Sequence, residues 1–224
     1  MDYNKIVERW KEKKISSVDD LKQALSSYKI IFAYNSGVIE NQKRCFEFIV
    51  KKIIEKAPIT EEFILKIHKR LMDGTYDEVR WSKGERPGMF KIHDYCVADE
   101  QGALPEEVPD EIAELCEELQ DIPDKGDNIF KAAAYLHCKF ENIHPFADGN
   151  GRVGRTLMNY FLMVNDYPPI VVYNETKDQY YKALGHYDKT GDVIPFVEYM
   201  KTSMEQTWQL KPVQKKQLED ILER

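Results

Sequence analysis

The sequence predicts a mainly α-helical protein interrupted once by a small β-hairpin. Three observations carry that prediction. Apolar residues recur at helical spacing over most of the 224 residues. Gly and Pro punctuation gathers between residues 75 and 108. Inside that stretch stands a short β-like run, MFKIHDYCVA (89–98), followed by the turn signal DEQG.

The elements follow in order. Ser16 or Ser17 can cap a helix through VDDLKQALSSYKIIFAY. A second helix is expected over QKRCFEFIVKKIIEKA (42–57), stopped by Pro58. Thr60 then caps EEFILKIHKRLMDG, which ends near Gly74. After the hairpin, PDEIAELCEELQDI (109–122) reads as an acidic helix. NIFKAAAYLHCKFENI (128–143) puts Ile129, Ala133, Leu136 and Phe140 on one face, as a buried helix would. GRVGRTLMNYFLMVND (151–166) does the same with Val153, Leu157, Phe161 and Val164. PPIVVY is a short extended piece, and helices near 175–187, 192–206 and 211–223 complete the chain. No repeat, low-complexity segment or linker is visible, so one compact domain is expected.

Composition excludes some functions. Hydrophobic residues make up 42% and charged residues 32%, which supports a core and argues against disorder. The net charge of −7 argues against a nucleic-acid partner, which normally demands a basic face. Cys45, Cys96, Cys116 and Cys138 are far apart and form no C-x-x-C pair, as expected for reduced thiols in a cytoplasmic protein. Residues 1–14 are charged throughout, unlike a signal peptide, and no apolar run is long enough for a membrane span.

The densest chemistry lies in IHPFADGNGRVGR (143–155). GNGRVG (149–154) matches the dinucleotide fingerprint G-x-G-x-x-G, but a helix and a turn precede it where a strand is required. GNGRVGRT nearly matches a P-loop, with Arg155 in place of the lysine and again no strand leading in. A third reading uses every residue. Pro145 and the glycines form a tight turn into a helix starting near Asn150, whose free N–H groups attract an anion. Gly149 and Gly151 let phosphate oxygens approach the backbone. Arg152 and Arg155, three apart, face the same way and can pair with successive phosphates. Asp148 is a hard oxygen ligand suited to Mg²⁺ bridging phosphates, with Mn²⁺ as the alternative. His144 is matched to take a proton near neutral pH.

HPFADGNGR (144–152) resembles the signature of the Fic family, H-P-F-x-[DE]-G-N-G-R, at every fixed position. VGR supplies the second arginine of Fic adenylyltransferases, and LHCKFENIHPF and VPDEIAEL are also Fic-like. The changed glycine-asparagine segment of Doc-type kinases is not found here. The resemblance spans about residues 61–205. It implies a Fic-fold helical bundle with a hairpin flap, and an enzyme that transfers AMP from ATP to a protein hydroxyl. His144 would deprotonate the hydroxyl and Asp148 would bind Mg²⁺. Gly149, Asn150 and Gly151 would cradle the α- and β-phosphates, with Arg152 on the β- and Arg155 on the γ-phosphate. Phe146 would anchor the loop, and Tyr180 or Tyr181 would lie near the adenine. The flap (about 89–106) would align a segment of a target protein by strand addition. Self-modification and a homodimer are further implications.

A second signal lies upstream. In YNSGVIEN (34–41), Ser36 and Glu40 are four apart, one more than a capping box needs, and would share a helix face. With Asn41 they resemble the Fic inhibitory motif [ST]-x-x-x-E-[GN], placed before the core in the same chain (the class II arrangement). There the glutamate pairs with the second arginine, here Arg155, and ATP binds unproductively. The expected layout is an N-terminal helical region over residues 1–60 carrying this motif, a core over 61–205, and a C-terminal helix over 206–224.

Plainer roles compete with these. His137 suits core packing, and His68, His93 and His186 suit the surface or the flap. Asp148 can cap the following helix while reaching a metal. Two arginines at a helix N-terminus oppose its dipole, which favours an anion partner over solvated charges. Two other functions keep the same residues: removal of AMP by water oriented on the inhibitory glutamate, and a nucleotide-binding regulatory module with little turnover.

Overall fold

A computed structural model describes residues 2–26, 28, 39–97, 100–120, 122 and 128–209. The described residues are mainly helical. In chain order they form α1 (Tyr3–Glu12), α2 (Val18–Ala24), α3 (Ile39–Ile54), α4 (Glu61–Met72), α5 (Glu78–Ser82), β1 (Cys96–Val97), β2 (Glu100–Gln101), α6 (Val108–Glu118), α7 (Asn128–Ile143), α8 (Asn150–Val164), a 3₁₀ turn (Asn174–Thr176), α9 (Lys177–Thr190) and α10 (Ile194–Trp208). Among the described residues no helix is long and apolar enough to cross a membrane. The expected helix over 211–223 and residues 34–38 of the upstream motif lie outside the described residues.

Packing separates two compact units, Met1–Ala57 with Asn159–Arg224, and Pro58–Met158. In the first, α1 and α9 both pack on α10. Trp10 meets Trp208 edge-on at 5.3 Å, and the Tyr3 amide donates to Glu205 Oε1 at 3.1 Å. Ser17 caps α2 in a complete capping box with Asp20, which decides between the two candidate serines. Helix α1 falls in the N-terminal region expected to be helical; its buried stripe is Ile6, Val7 and Trp10. Helix α3 ends at Ile54, before the proline that was expected to stop it. Lys56, with φ +49°, already turns the chain there, and the Ala57 amide reaches back to the Lys52 carbonyl.

The second unit carries the glycine-rich motif. Thr60 caps α4, accepting from the Phe63 amide at 3.2 Å. Helix α6 packs against both α4 and α7. The predicted stripe of α7 is buried at Ile129, Ala133, Leu136 and Phe140. The β-like run is mostly not strand. Only Cys96–Val97 pairs, antiparallel, with Glu100–Gln101. Upstream of that pair the backbone amides are committed elsewhere: Lys91 donates to the Pro145 carbonyl at 2.9 Å and Ile92 to the buried Glu85 carboxylate at 3.2 Å. A donor spent that way cannot join a ladder.

Candidate active site

Helix α7 stops at Ile143 because the chain turns left-handed at His144, whose φ is +52°. The His144 amide donates to the Phe140 carbonyl at 3.1 Å, so the histidine occupies the cap position that glycine usually fills. Holding a β-carbon there costs about 1–2 kcal/mol. Its ring is half-buried, and the Glu141 backbone nearby favours its protonated form. Burial, then the charge of buried Lys91, pushes its pKa down to about 4. The imidazole is therefore neutral near pH 7. A neutral imidazole carries one N–H and keeps a lone pair on its other nitrogen.

Phe146 fixes the middle of the turn. It is fully buried, and its ring stacks on His68 at 3.7 Å with an angle of 2° between the planes. Asn150, 2% exposed, braces the same residue twice: Oδ1 accepts from the Phe146 amide at 2.9 Å and Nδ2 donates to the Phe146 carbonyl at 2.8 Å. The Asn150 side chain thus shapes the loop, and its backbone amide is what it can offer an anion. Gly149 has φ +89°, and a β-carbon there would stand 2.5 Å from Met72 Sδ. Any side chain there would be strained and would force Met72 to shift.

Helix α8 opens on Asn150. The first intrahelical bond runs from the Val153 amide to the Gly149 carbonyl, 3.0 Å. The amides of Asn150, Gly151 and Arg152 precede it and are the donors a helix start leaves over. Arg155 folds back over this turn: a β-carbon on Gly151 would be 2.9 Å from Arg155 Nη1. Arg152 reaches the other way, with Nη2 at 3.4 Å from Asp148 Oδ1. Asp148 Oδ1 also accepts from the Gly149 amide at 2.6 Å. The structure therefore brings together His144, Asp148, Gly149, Asn150, Gly151, Arg152 and Arg155. The two arginines flank the helix start instead of lying side by side.

The other expected site residues that are described belong to the first unit. Tyr180 is buried on α9, 5.8 Å from the rings of both Phe196 and Tyr199, while Tyr181 is exposed. Glu40 is exposed in the first turn of α3, and Asn41 is buried with Oδ1 accepting from Arg44. Ser36 lies outside the described residues.

Several supporting residues were not foreseen. His68, expected at the surface, is fully buried. It completes the apolar stripe Ile64, Ile67, Leu71 and Met72 of α4, and that periodicity was the available signal. Gly102 backs His144 so closely that a β-carbon would be 2.7 Å from the histidine's own. A β-carbon on Gly154 would overlap Glu141 Oε1, which fixes how α8 meets α7. His137 is buried as expected, with its pKa pushed down to about 3 by burial and then by the Arg155 charge.

Residues 58–162 match the Fic/DOC family. The chain is 32% identical over 146 residues to protein adenylyltransferase fic-1 of Caenorhabditis briggsae, covering 65% of this chain and 27% of that protein. It is 32% identical over 168 residues to protein adenylyltransferase Fic of Drosophila persimilis, covering 73% of this chain and 31% of that protein. The chain thus spans less than a third of the length of these relatives. A crystal structure of a Fic-domain-containing signaling protein from Bacteroides thetaiotaomicron superposes with TM-score 0.76 at 26% identity, covering 92% of this chain and 94% of the other. Its fold is that of the Fic proteins, and over residues 58–162 the chain is a member of the Fic/DOC family.

Proposed function

We propose that this chain transfers AMP from ATP to a hydroxyl side chain of a target protein. The names of its relatives support the reaction class. The observation that carries the reading is the turn from His144 to Arg155. A neutral imidazole stands at its start, and a guanidinium folds over the open helix end at its finish.

In this reading the free nitrogen of His144 accepts the proton of the target hydroxyl. The oxygen forms a bond to the α-phosphorus, the bond from that phosphorus to the α–β bridging oxygen breaks, and pyrophosphate leaves. The amides of Asn150, Gly151 and Arg152 and the dipole of α8 hold phosphate oxygens. Arg155, already over Gly151, takes the terminal phosphate, and Arg152 exchanges its long contact with Asp148 for a phosphate oxygen.

Asp148 is the candidate ligand for Mg²⁺. Among the described residues no cluster of three or more His, Cys, Asp or Glu side chains forms a metal cage. One partly exposed carboxylate beside a phosphate site fits an ion held mainly by substrate oxygens and water. Bound there, Mg²⁺ would neutralise phosphate charge.

Two finer points belong to the same proposal. Glu40 competes with the terminal phosphate for Arg155 and holds the enzyme down, as its motif suggests. The segment 89–106 receives the target as an added strand against the Cys96–Gln101 pairing. The test uses ATP labelled on the α- or the γ-phosphate with Mg²⁺, on the wild type, Glu40→Gly, and Glu40→Gly with His144→Ala. Label from the α-position only, raised in the single variant and lost in the double, is expected. Label from the γ-position would replace the reading with phosphoryl transfer. Equal label in the wild type and Glu40→Gly would remove the autoinhibition.

A further inference from the structure

His68 lies outside the glycine-rich motif, yet touches it at two residues. Its Nε2 is 3.0 Å from the Asp148 carbonyl oxygen, and its Nδ1 accepts from the Gly88 amide at 2.8 Å. A carbonyl can only accept and an amide can only donate, so the tautomer is fixed with the proton on Nε2. The ring face covers Phe146. The residue is fully buried, and burial holds it neutral with a pKa of about 4.

A buried histidine with both nitrogens satisfied is often no more than a well-placed core residue. The Tyr76 hydroxyl also lies 3.4 Å from Nε2; what sets this histidine apart is the identity of its two nearer partners. Asp148 carries the candidate metal ligand. Gly88, with φ +88°, is the last residue before the segment 89–106, and a β-carbon there would stand 2.8 Å from the Lys69 β-carbon on α4. One imidazole therefore joins the acidic corner of the phosphate turn to the root of the hairpin segment. Phenylalanine would supply the same stacking and neither bond.

We infer that His68 is a positioning residue that holds Asp148 and the root of the 89–106 segment in one frame through its two ring nitrogens. Only the predicted effect on metal-assisted nucleotide binding rests on the nucleotide-transfer reading; the geometric claim stands apart from it.

The experiment separates the two nitrogens on the full chain. His68→Gln keeps a donor near the Nε2 position and gives up the Nδ1 acceptor. His68→Asn keeps an acceptor near Nδ1 and gives up the Nε2 donor. His68→Phe keeps the stacking alone. Amide hydrogen exchange is followed at Gly88 and over 146–150, and ATP binding is measured with and without Mg²⁺ by calorimetry. The expected pattern is crossed. His68→Gln speeds exchange at Gly88 and leaves the Mg²⁺ enhancement of ATP binding within about twofold. His68→Asn speeds exchange over 146–150 and cuts that enhancement about tenfold, the scale of losing a partner that orients a metal ligand. His68→Phe does both. Exchange unchanged in all three variants, or raised equally at both places in Gln and Asn, would overturn the inference and leave packing alone. If ATP binds none of the proteins, the nucleotide reading fails, and the exchange pattern by itself decides the role of His68.

Discussion

At residue 144 and again at residue 166 the backbone turns left-handed on a residue other than glycine, with φ of +52° and +62°. Both turns end a long helix, and a proline follows within two residues. At the end of α8 the geometry is complete in itself. The Tyr167 amide donates to the Leu162 carbonyl at 2.9 Å and the Asp166 amide to the Met163 carbonyl at 3.2 Å, a finished Schellman cap, and Asp166 is exposed. At the end of α7 the same turn faces a buried lysine, a glycine pressed against its β-carbon, and the open start of the next helix. The same dihedral thus occurs at both places, and only the convergence of polar groups separates a site from a cap.

The largest effect is expected at His144. His144→Ala and His144→Gly should each reduce AMP labelling by at least about 10²-fold, while Asp166→Ala stays within about twofold. Comparable losses from both positions would erase the distinction.

The second effect is on stability against pH. His68, His137 and His144 have folded-state pKa values of about 4, 3 and 4, below the ordinary histidine value of about 6.5. The unfolded chain therefore binds protons first on acidification. These groups contribute stability that is fully present above about pH 6.5 and is lost as pH falls toward their folded values. The melting temperature should drop steadily between pH 7 and pH 4.5. His68→Phe should flatten that slope.

Next, Asn150→Ala strands the buried amide and carbonyl of Phe146. A loss of about 2 kcal/mol in urea unfolding is expected, together with weaker ATP binding. A loss of activity at full stability would return the Asn150 side chain to the phosphates. The smallest effect concerns the turns themselves. Asp166→Gly should exceed Asp166→Ala, and His144→Gly should exceed His144→Ala, in stability by about 1 kcal/mol each.

Much of the site was readable from the sequence because it is local. His144 to Arg155 lie within one turn and the first turns of one helix, so spacing alone places them together. The stripes of α7 and α8 were legible for the same reason. What stayed hidden depends on contacts distant in sequence. His68 finds Asp148 across 80 residues, and Gly102 has no reason to be glycine until His144 lies against it. The β-like run of 89–98 looked like strand because side-chain alternation does not reveal where the amides of Lys91 and Ile92 go. Helix α5, five residues capped by Asp77, is too short to produce periodicity.

The two backbone bonds that flank His144 have a geometric consequence. Lys91 donates to Pro145 at 2.9 Å, and Ala103 donates to Ile143 at 3.0 Å. Both roots of the hairpin segment are thus moored to the residues on either side of the proposed base. If, as proposed, a guest segment of the target adds to the Cys96–Gln101 pairing as a strand, its register would be measured from His144. Sliding the guest by one residue moves it about 3.3 Å and turns the presented side chain to the opposite face. Selection among hydroxyls would then be made by address along the guest and not by the kind of residue offered.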